Sequence, residues 1–405
     1  MKLFFHFVVS TALCLPTIAQ AQAAPDPAND IYDGAVLPPK VDDGMVVADW
    51  LEGRPAHADG DAAPDSLGAF RFTCTAGRNG ADDPIVYAAV PNGSPHDHQF
   101  FGNSLIRFDS TYETLRATPI TDLSKFTCLN PLNKSGYWIS DMLNGDGKVV
   151  RPDVVTIYYK RWPRSDPRCL RSDRPGINFC VGIIRGLRYI FGADMVTGTV
   201  PTGNFYYQCL EGANSSKGEP DLVAVGPHCG TAPGSRVQAH IQSPNCWDGK
   251  LLDSANHRSH VADFRDRDEA GNYVGDHCPA SHPWILPRFE LGAIYTLDDT
   301  FNRSGSWTPG TKTWTYSSDV MFGMPVRRPG STLHSDWDGA WNDEVADMWV
   351  ANCIDRHLSC NAGDLGNGLA LKTTDPQNGR PAAPRLVPRP VLRRAPFHVG
   401  MHPAR

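Results

Sequence analysis

Three short segments concentrate the side chains that could do chemistry. The first is His96-Asp97-His98-Gln99. The second runs Asn245-Cys246-Trp247-Asp248-Gly249-Lys250 and on through Asp253, His257 and His260. The third is His334-Ser335-Asp336-Trp337. His96 and His98 are two apart, as are His334 and Asp336, so on a strand each pair shares a face. Two imidazoles on one face can hold a single metal ion. His257 and His260, three apart, share a face only on a helical turn. Asp253, four residues before His257, can orient its ring. If the segments converge, His96, His98, His257, His260 and His334 are the candidate ligands of one divalent transition metal. Asp253 and Asp336 are then orienting or ligating carboxylates, and Lys250 is an electrostatic clamp. A histidine acid–base site without metal is equally compatible with these residues. Tyr137, Trp138, Trp247, Trp337 and Trp341 lie in or beside these segments and could form a wall on which sugar rings stack. Core packing is the commoner use of such rings.

Several signatures are absent. There is no HExxH, no GxSxG, no P-loop and no Rossmann glycine pattern. The net charge of −6 disfavours a general nucleic-acid binder, which needs a basic face.

These residues must be positioned by a chain that reads mainly as strands and loops. Residues 1–23 have the pattern of an export signal: Lys2, an apolar stretch and a small-residue Ala-x-Ala exit. That stretch is too short to span a bilayer, and no later one is long enough. Ten cysteines follow it, an even set that in an exported chain reads as disulfides. The simplest pairing joins nearest neighbours: Cys74–Cys128, Cys169–Cys180, Cys209–Cys229, Cys246–Cys278 and Cys353–Cys360. Residues 24–68 form a Pro-, Asp- and Ala-rich lead-in with one short strand near 44–48. Residues 69–374 form one β-rich domain, and 375–405 a basic, Pro-rich tail expected to be disordered. β-Branched and aromatic runs predict strands at 154–159, 187–191, 203–209 and 289–295. Asn144-Gly145-Asp146-Gly147 predicts a hairpin turn. One helix is expected over 343–357, capped by Asn342. The fold class expected is a disulfide-stapled β-sandwich, jelly-roll-like, with long loops and one or two short helices.

The order of motifs is similar to that of a known family. Asp83-Pro84-Ile85-Val86 precedes His96-x-His98-x-Phe100-Phe101-Gly102-Asn103. Gly136-Tyr137-Trp138-Ile139 follows, and then Asn245-Cys246-Trp247-Asp248-Gly249-Lys250 with Asp253-Ser254, His257 and His260-Val261-Ala262. Cys278-Pro279-Ala280-Ser281-His282-Pro283, His334-Ser335-Asp336-Trp337 and Gly339-Ala340-Trp341 complete the series. Together they resemble the secreted fungal and bacterial family called domain of unknown function 1996. The resemblance implies an exported protein and implies that the three polar segments belong together. It assigns no catalytic role to any residue.

Two functions follow as expectations. One is an exported enzyme that cleaves an extracellular polysaccharide or cell-wall glycan, by metal-assisted hydrolysis or by histidine acid–base chemistry. The other is a non-catalytic glycan- or cell-surface-binding protein. Neither requires nucleic acid or a membrane span, and the sequence leaves the oligomeric state open.

Overall fold

The computed structural model describes residues 32–55, 57, 67–195, 197–199, 204–267, 273–373 and 384–390. The expected export signal lies outside these residues. The alternating burial of Val154–Arg161 and Arg236–Gln242 puts every second side chain inside, the signature of a sheet wet on one face only, and Arg288–Thr296 between them is buried at all but two positions. These strands are the centre of a six-stranded sheet. Its order is Phe205–Cys209, Arg236–Gln242, Arg288–Thr296, Val154–Arg161, Gly68–Cys74, Ser359–Cys360, antiparallel except for the last pair.

A second sheet has five antiparallel strands in the order Asn79–Gly80, His98–Gly102, Gly136–Ser140, His334–Asp338, Arg188–Gly192. Its strands are buried throughout or nearly so, because both faces are covered. One face packs on the six-stranded sheet. Tyr137 and Trp337 meet Phe289, and the Tyr137 and Tyr159 hydroxyls bond at 2.8 Å across the interface. The other face carries a smaller apolar cluster of Ile85, Phe100, Ile106, Tyr112, Leu115, Trp138, Ile190 and Ala340. The fold is thus mainly β, two sheets packed face to face, as expected.

All five nearest-neighbour cysteine pairs are disulfides. The expected hairpin forms between Met142–Leu143 and Val149–Arg151, with Asn144 Oδ1 accepting from the backbone of Asp146 and Lys148. The expected helix is α-helical over Asp343–Trp349, capped by Asn342, and then widens to a π-helical turn over Val350–Ile354. That turn lays the Ile354 backbone directly against Gly68, where any side chain would collide.

Two expectations are corrected. The strand near 44–48 is absent. A 3-10 turn, Val47–Trp50, leads instead into Leu51–Gly53, which pairs with Leu369–Leu371. The lead-in is tied down because Ala35, Leu37 and Val47 enter the core and Asp43 pairs with the buried Arg116 and Lys134. The tail is not without structure throughout. Arg385–Val387 adds a strand to Val149–Arg151, and Arg389 donates to the buried Asp97 at 2.7 Å. An edge strand with unpaired backbone groups offers that docking site, and a buried carboxylate needs a cation.

Candidate functional site

The site is built on the outer face of the five-stranded sheet. Strand pairing places His98 opposite Ser140, and Ser335 opposite Ile139, so His98, Ser140 and His334 form one row across three strands. The small serine between them leaves room for the two imidazoles to lean together. His96 lies in the bend just before the strand and completes the group. Its Nε2 is 3.0 Å from His98 Nε2 and 3.2 Å from His334 Nε2. All three residues are buried.

Neighbouring backbone fixes the tautomers. His98 Nδ1 faces the Asp82 carbonyl at 3.1 Å, and His334 Nδ1 faces the Thr332 carbonyl at 2.9 Å. A carbonyl oxygen only accepts, so both Nδ1 atoms carry the proton and both Nε2 atoms present lone pairs. Burial pushes His334 down to about 4, with the Arg258 charge adding to it, so the ring is neutral near pH 7. A proton on His96 Nε2 satisfies one neighbour and leaves the other lone pair facing it. A metal ion satisfies all three. Two ligands on a tetrahedral zinc are roughly 3.3–3.4 Å apart for bonds of about 2.0–2.1 Å, close to the separations here. A backbone carbonyl behind each ring is also how metal-bound histidines are commonly held. Ser140 Oγ, buried beneath this group, has no hydrogen-bond partner among the described residues.

A cavity of about 150 Å³ opens beside the centre. His96, His334, Asp336, Asp83, His257 and Arg258 line it, together with Val86, Tyr87, Ile190, Met195 and Met321. His257 reaches it because the 252–257 segment runs along the outer edge of the sheet. Arg188 N donates to Leu252 O, and Ile190 N donates to His257 O. His257 is held at φ 57°, the left-handed region that a non-glycine residue occupies at a cost. Its Nδ1 is 2.7 Å from Asp253 Oδ1, and Asp253 Oδ2 accepts from Arg188 Nε at 2.9 Å. Burial alone would raise the Asp253 carboxyl. The His257 hydrogen bond and the Arg188 charge outweigh it and hold the group below the usual carboxylate range. The dyad leaves His257 Nε2 as the ring atom for chemistry.

Two more carboxyls complete the wall. Burial pushes Asp336 well above its usual range. Asp83 adds to the shift and Arg258 opposes it. Burial likewise raises Asp83, against the Val86 and Ile85 amides that its Oδ1 accepts at 3.0 Å. Arg258 is anchored by the Gly192 and Ala193 carbonyls. Gly192, at φ 87°, allows the turn beside His334, where a side chain would strike the Leu333 and His334 backbone.

The sequence-predicted residues thus divide. His96, His98, His257, His334, Asp253 and Asp336 are brought to one cavity and its immediate support. His260 is not. Its Nδ1 bonds Ser254 Oγ at 2.9 Å and its Nε2 bonds the Arg188 carbonyl at 3.0 Å, so both nitrogens are occupied in a fully buried structural role. Lys250 is exposed on a turn and does not line the cavity. Tyr137, Trp138, Trp247, Trp337 and Trp341 are core side chains, none more than 4% exposed, and give no stacking wall. Their large apolar area is the reason: on covered sheet faces it is worth more inside than at the surface. Asp83, Ser140, Arg188 and Arg258 join the site without having been picked out as site residues. Asp83 opens one of the family-like motifs and Ser140 directly follows another, but only the folded structure shows where they point.

Comparison with known proteins follows this geometry. Residues 83–341 match the family described as domain of unknown function 1996. The chain belongs to that family. The matched span runs from Asp83 to Trp341 and so holds all the cavity histidines and acids of this domain of unknown function 1996 protein. No curated protein and no solved structure matches the chain.

Proposed function

We propose that His96, His98 and His334 bind one divalent transition metal, and that the cavity beside it is the active site of an exported hydrolase acting on an extracellular glycan. One observation carries this reading: three imidazole Nε2 atoms meet at 3.0 and 3.2 Å while two of the rings give their Nδ1 protons to backbone carbonyls. When bound, such a metal lowers the pKa of a water to about 7 and supplies the nucleophile. His257, oriented by Asp253 and Arg188, takes up at Nε2 the proton that the attacking water gives up and passes it to the leaving oxygen as the bond to it breaks. Arg258 faces charge developing on the substrate.

The cavity admits a small group, one sugar unit or its substituent, and excludes a long chain from the histidine centre. Export is supported by the leader pattern, by the five disulfides, and by the absence among the described residues of any helix long and apolar enough to cross a membrane.

Elemental analysis of the purified, disulfide-intact protein tests the reading. The expected result is one equivalent of a transition metal in the wild type, none in His98→Ala or His334→Ala, and a full equivalent in His257→Gln. With metal retained, His257→Gln lowers turnover of a glycan hit from substrate screening about 10²–10⁴-fold. Metal-free wild type after reconstitution with zinc, manganese and copper would end the proposal.

A further inference from the structure

Asp336 lines the cavity beside the histidine centre and is 2% exposed, and its Oδ2 is buried without a hydrogen-bond partner among the described residues. Strand register places it next to Ile190 and on the same face as His334. A buried polar atom left this way is costly, and a ligand that brings an N–H or O–H to it removes the cost. Arg258 is the complementary group in the same cavity. Its guanidinium donates to the Gly192 and Ala193 carbonyls, while Asp194 and Asp336 act on it through their charge. A guanidinium has more N–H donors than those bonds use, so it can also hold a ligand oxygen.

Much of the remaining wall is apolar, formed by Val86, Ile190, Met195 and Met321. Thr197 and Asn256 line the cavity too but are exposed, which marks its open end. An apolar cavity of about this volume holds a benzene-sized guest. A sugar ring inside it would press its hydroxyls against methionine and isoleucine side chains, where they lose their hydrogen bonds. A substituent enters better, with its ring held at the polar, open end. The groups a sugar can carry differ in fit. An ester, an ether or a carboxylate has no donor for Asp336. A hydroxyl has the donor and leaves the apolar wall empty. An ammonium brings a second cation beside Arg258 and no apolar surface. An acetamido group meets all three demands: its N–H bonds Asp336, its carbonyl oxygen accepts from Arg258, and its methyl packs on the apolar wall.

We infer that the cavity seats the acetamido group of an N-acetylated amino sugar, and that the glycan acted on is a polymer of such sugars. Asp336 and Arg258 are then the residues that set specificity. The inference rests on the cavity being the substrate site of the proposed hydrolase, and not on the metal.

Isothermal titration calorimetry of the disulfide-intact, chelator-stripped protein with tetramers of N-acetylglucosamine, glucosamine and glucose tests this. Stripping prevents turnover during the titration. The N-acetylated tetramer is expected to bind about tenfold or more tightly than either of the others. Asp336→Leu keeps the side chain's bulk and removes the acceptor; Met195→Trp fills the cavity from a loop. Each should weaken binding of the N-acetylated tetramer about tenfold. Circular dichroism and the thermal midpoint check that both variants are folded. Equal binding of the glucose tetramer, tighter binding of the glucosamine tetramer, no binding of any tetramer, or undiminished binding by the folded variants would overturn the inference. Metal content measured before stripping keeps the two readings apart. Protein that never holds metal yet binds the N-acetylated tetramer supports this inference and ends the metal reading, and metal-loaded protein that ignores the tetramer does the reverse.

Discussion

His260 and His257 sit three residues apart and do opposite work. His260 has both nitrogens committed to Ser254 and Arg188, so His260→Ala removes two buried bonds. Denaturant unfolding should show a loss of about 1–3 kcal/mol, with metal content unchanged. If metal is lost from folded His260→Ala, the ligand set is wrong. Asp338 gives a pH test. Both its carboxylate oxygens are buried without a hydrogen-bond partner among the described residues. Burial pushes it up to about 7, and the Arg188 charge opposes the shift. The folded value lies above the unfolded one, near 3.9. The folded state therefore holds the proton more tightly, and this group's contribution is most favourable below about pH 4. It declines as pH rises toward 7 and then levels off. Asp338→Asn escapes the decline, so its stability relative to wild type should rise by about 2–3 kcal/mol between pH 5 and pH 8. Parallel stability curves for the two proteins would refute this.

At the scale of elements, the site depends on register. A one-residue slip of His334–Asp338 would turn His334 and Asp336 to the inner face and Ser335 outward. Gly192 and Gly102 hold neighbouring strands at positive φ with backbone carbonyls against the missing side chains. Gly192→Ala, next to His334, combines backbone strain with a collision and should cost several kcal/mol in thermal or denaturant unfolding. Wild-type stability for this variant would mean that the turn is looser than described. The tail strand acts at the same scale. Removing residues 384–405 exposes the Val149–Arg151 edge and takes Arg389 from Asp97, which lies between two of the histidines. The truncated protein should unfold at lower denaturant. An unchanged midpoint would show that this strand contributes nothing.

At the scale of the whole molecule, five disulfides close loops of very different size. Cys74–Cys128 spans 54 residues and Cys353–Cys360 spans 7. Loop-closure entropy grows with the logarithm of loop length, so replacing the first pair by alanine should cost about 2 kcal/mol more than replacing the second. Equal losses would place the disulfide effect in native packing instead. The cavity lies outside the five-stranded sheet, and the core of Tyr137, Tyr159, Phe289 and Trp337 lies on that sheet's other side.

The mainly β class, the strand positions, the cysteine pairing and the cap of the 343–349 helix were legible in the chain. Each rests on interactions between residues close in sequence: alternation, turn propensity, capping, short loops. The polar segments were legible as ingredients because their residue types are rare in segments that only fold. Their assembly was not. His96 and His334 are 238 residues apart, and only the pairing of three strands around Ser140 brings them within 3.2 Å. The aromatic residues misled for the same reason, since a tryptophan's neighbours in sequence do not show which sheet face will be covered. Tertiary structure alone decided that His257 enters the cavity and His260 does not, because the edge strand Arg188–Gly192 captures the backbone of one and the ring of the other.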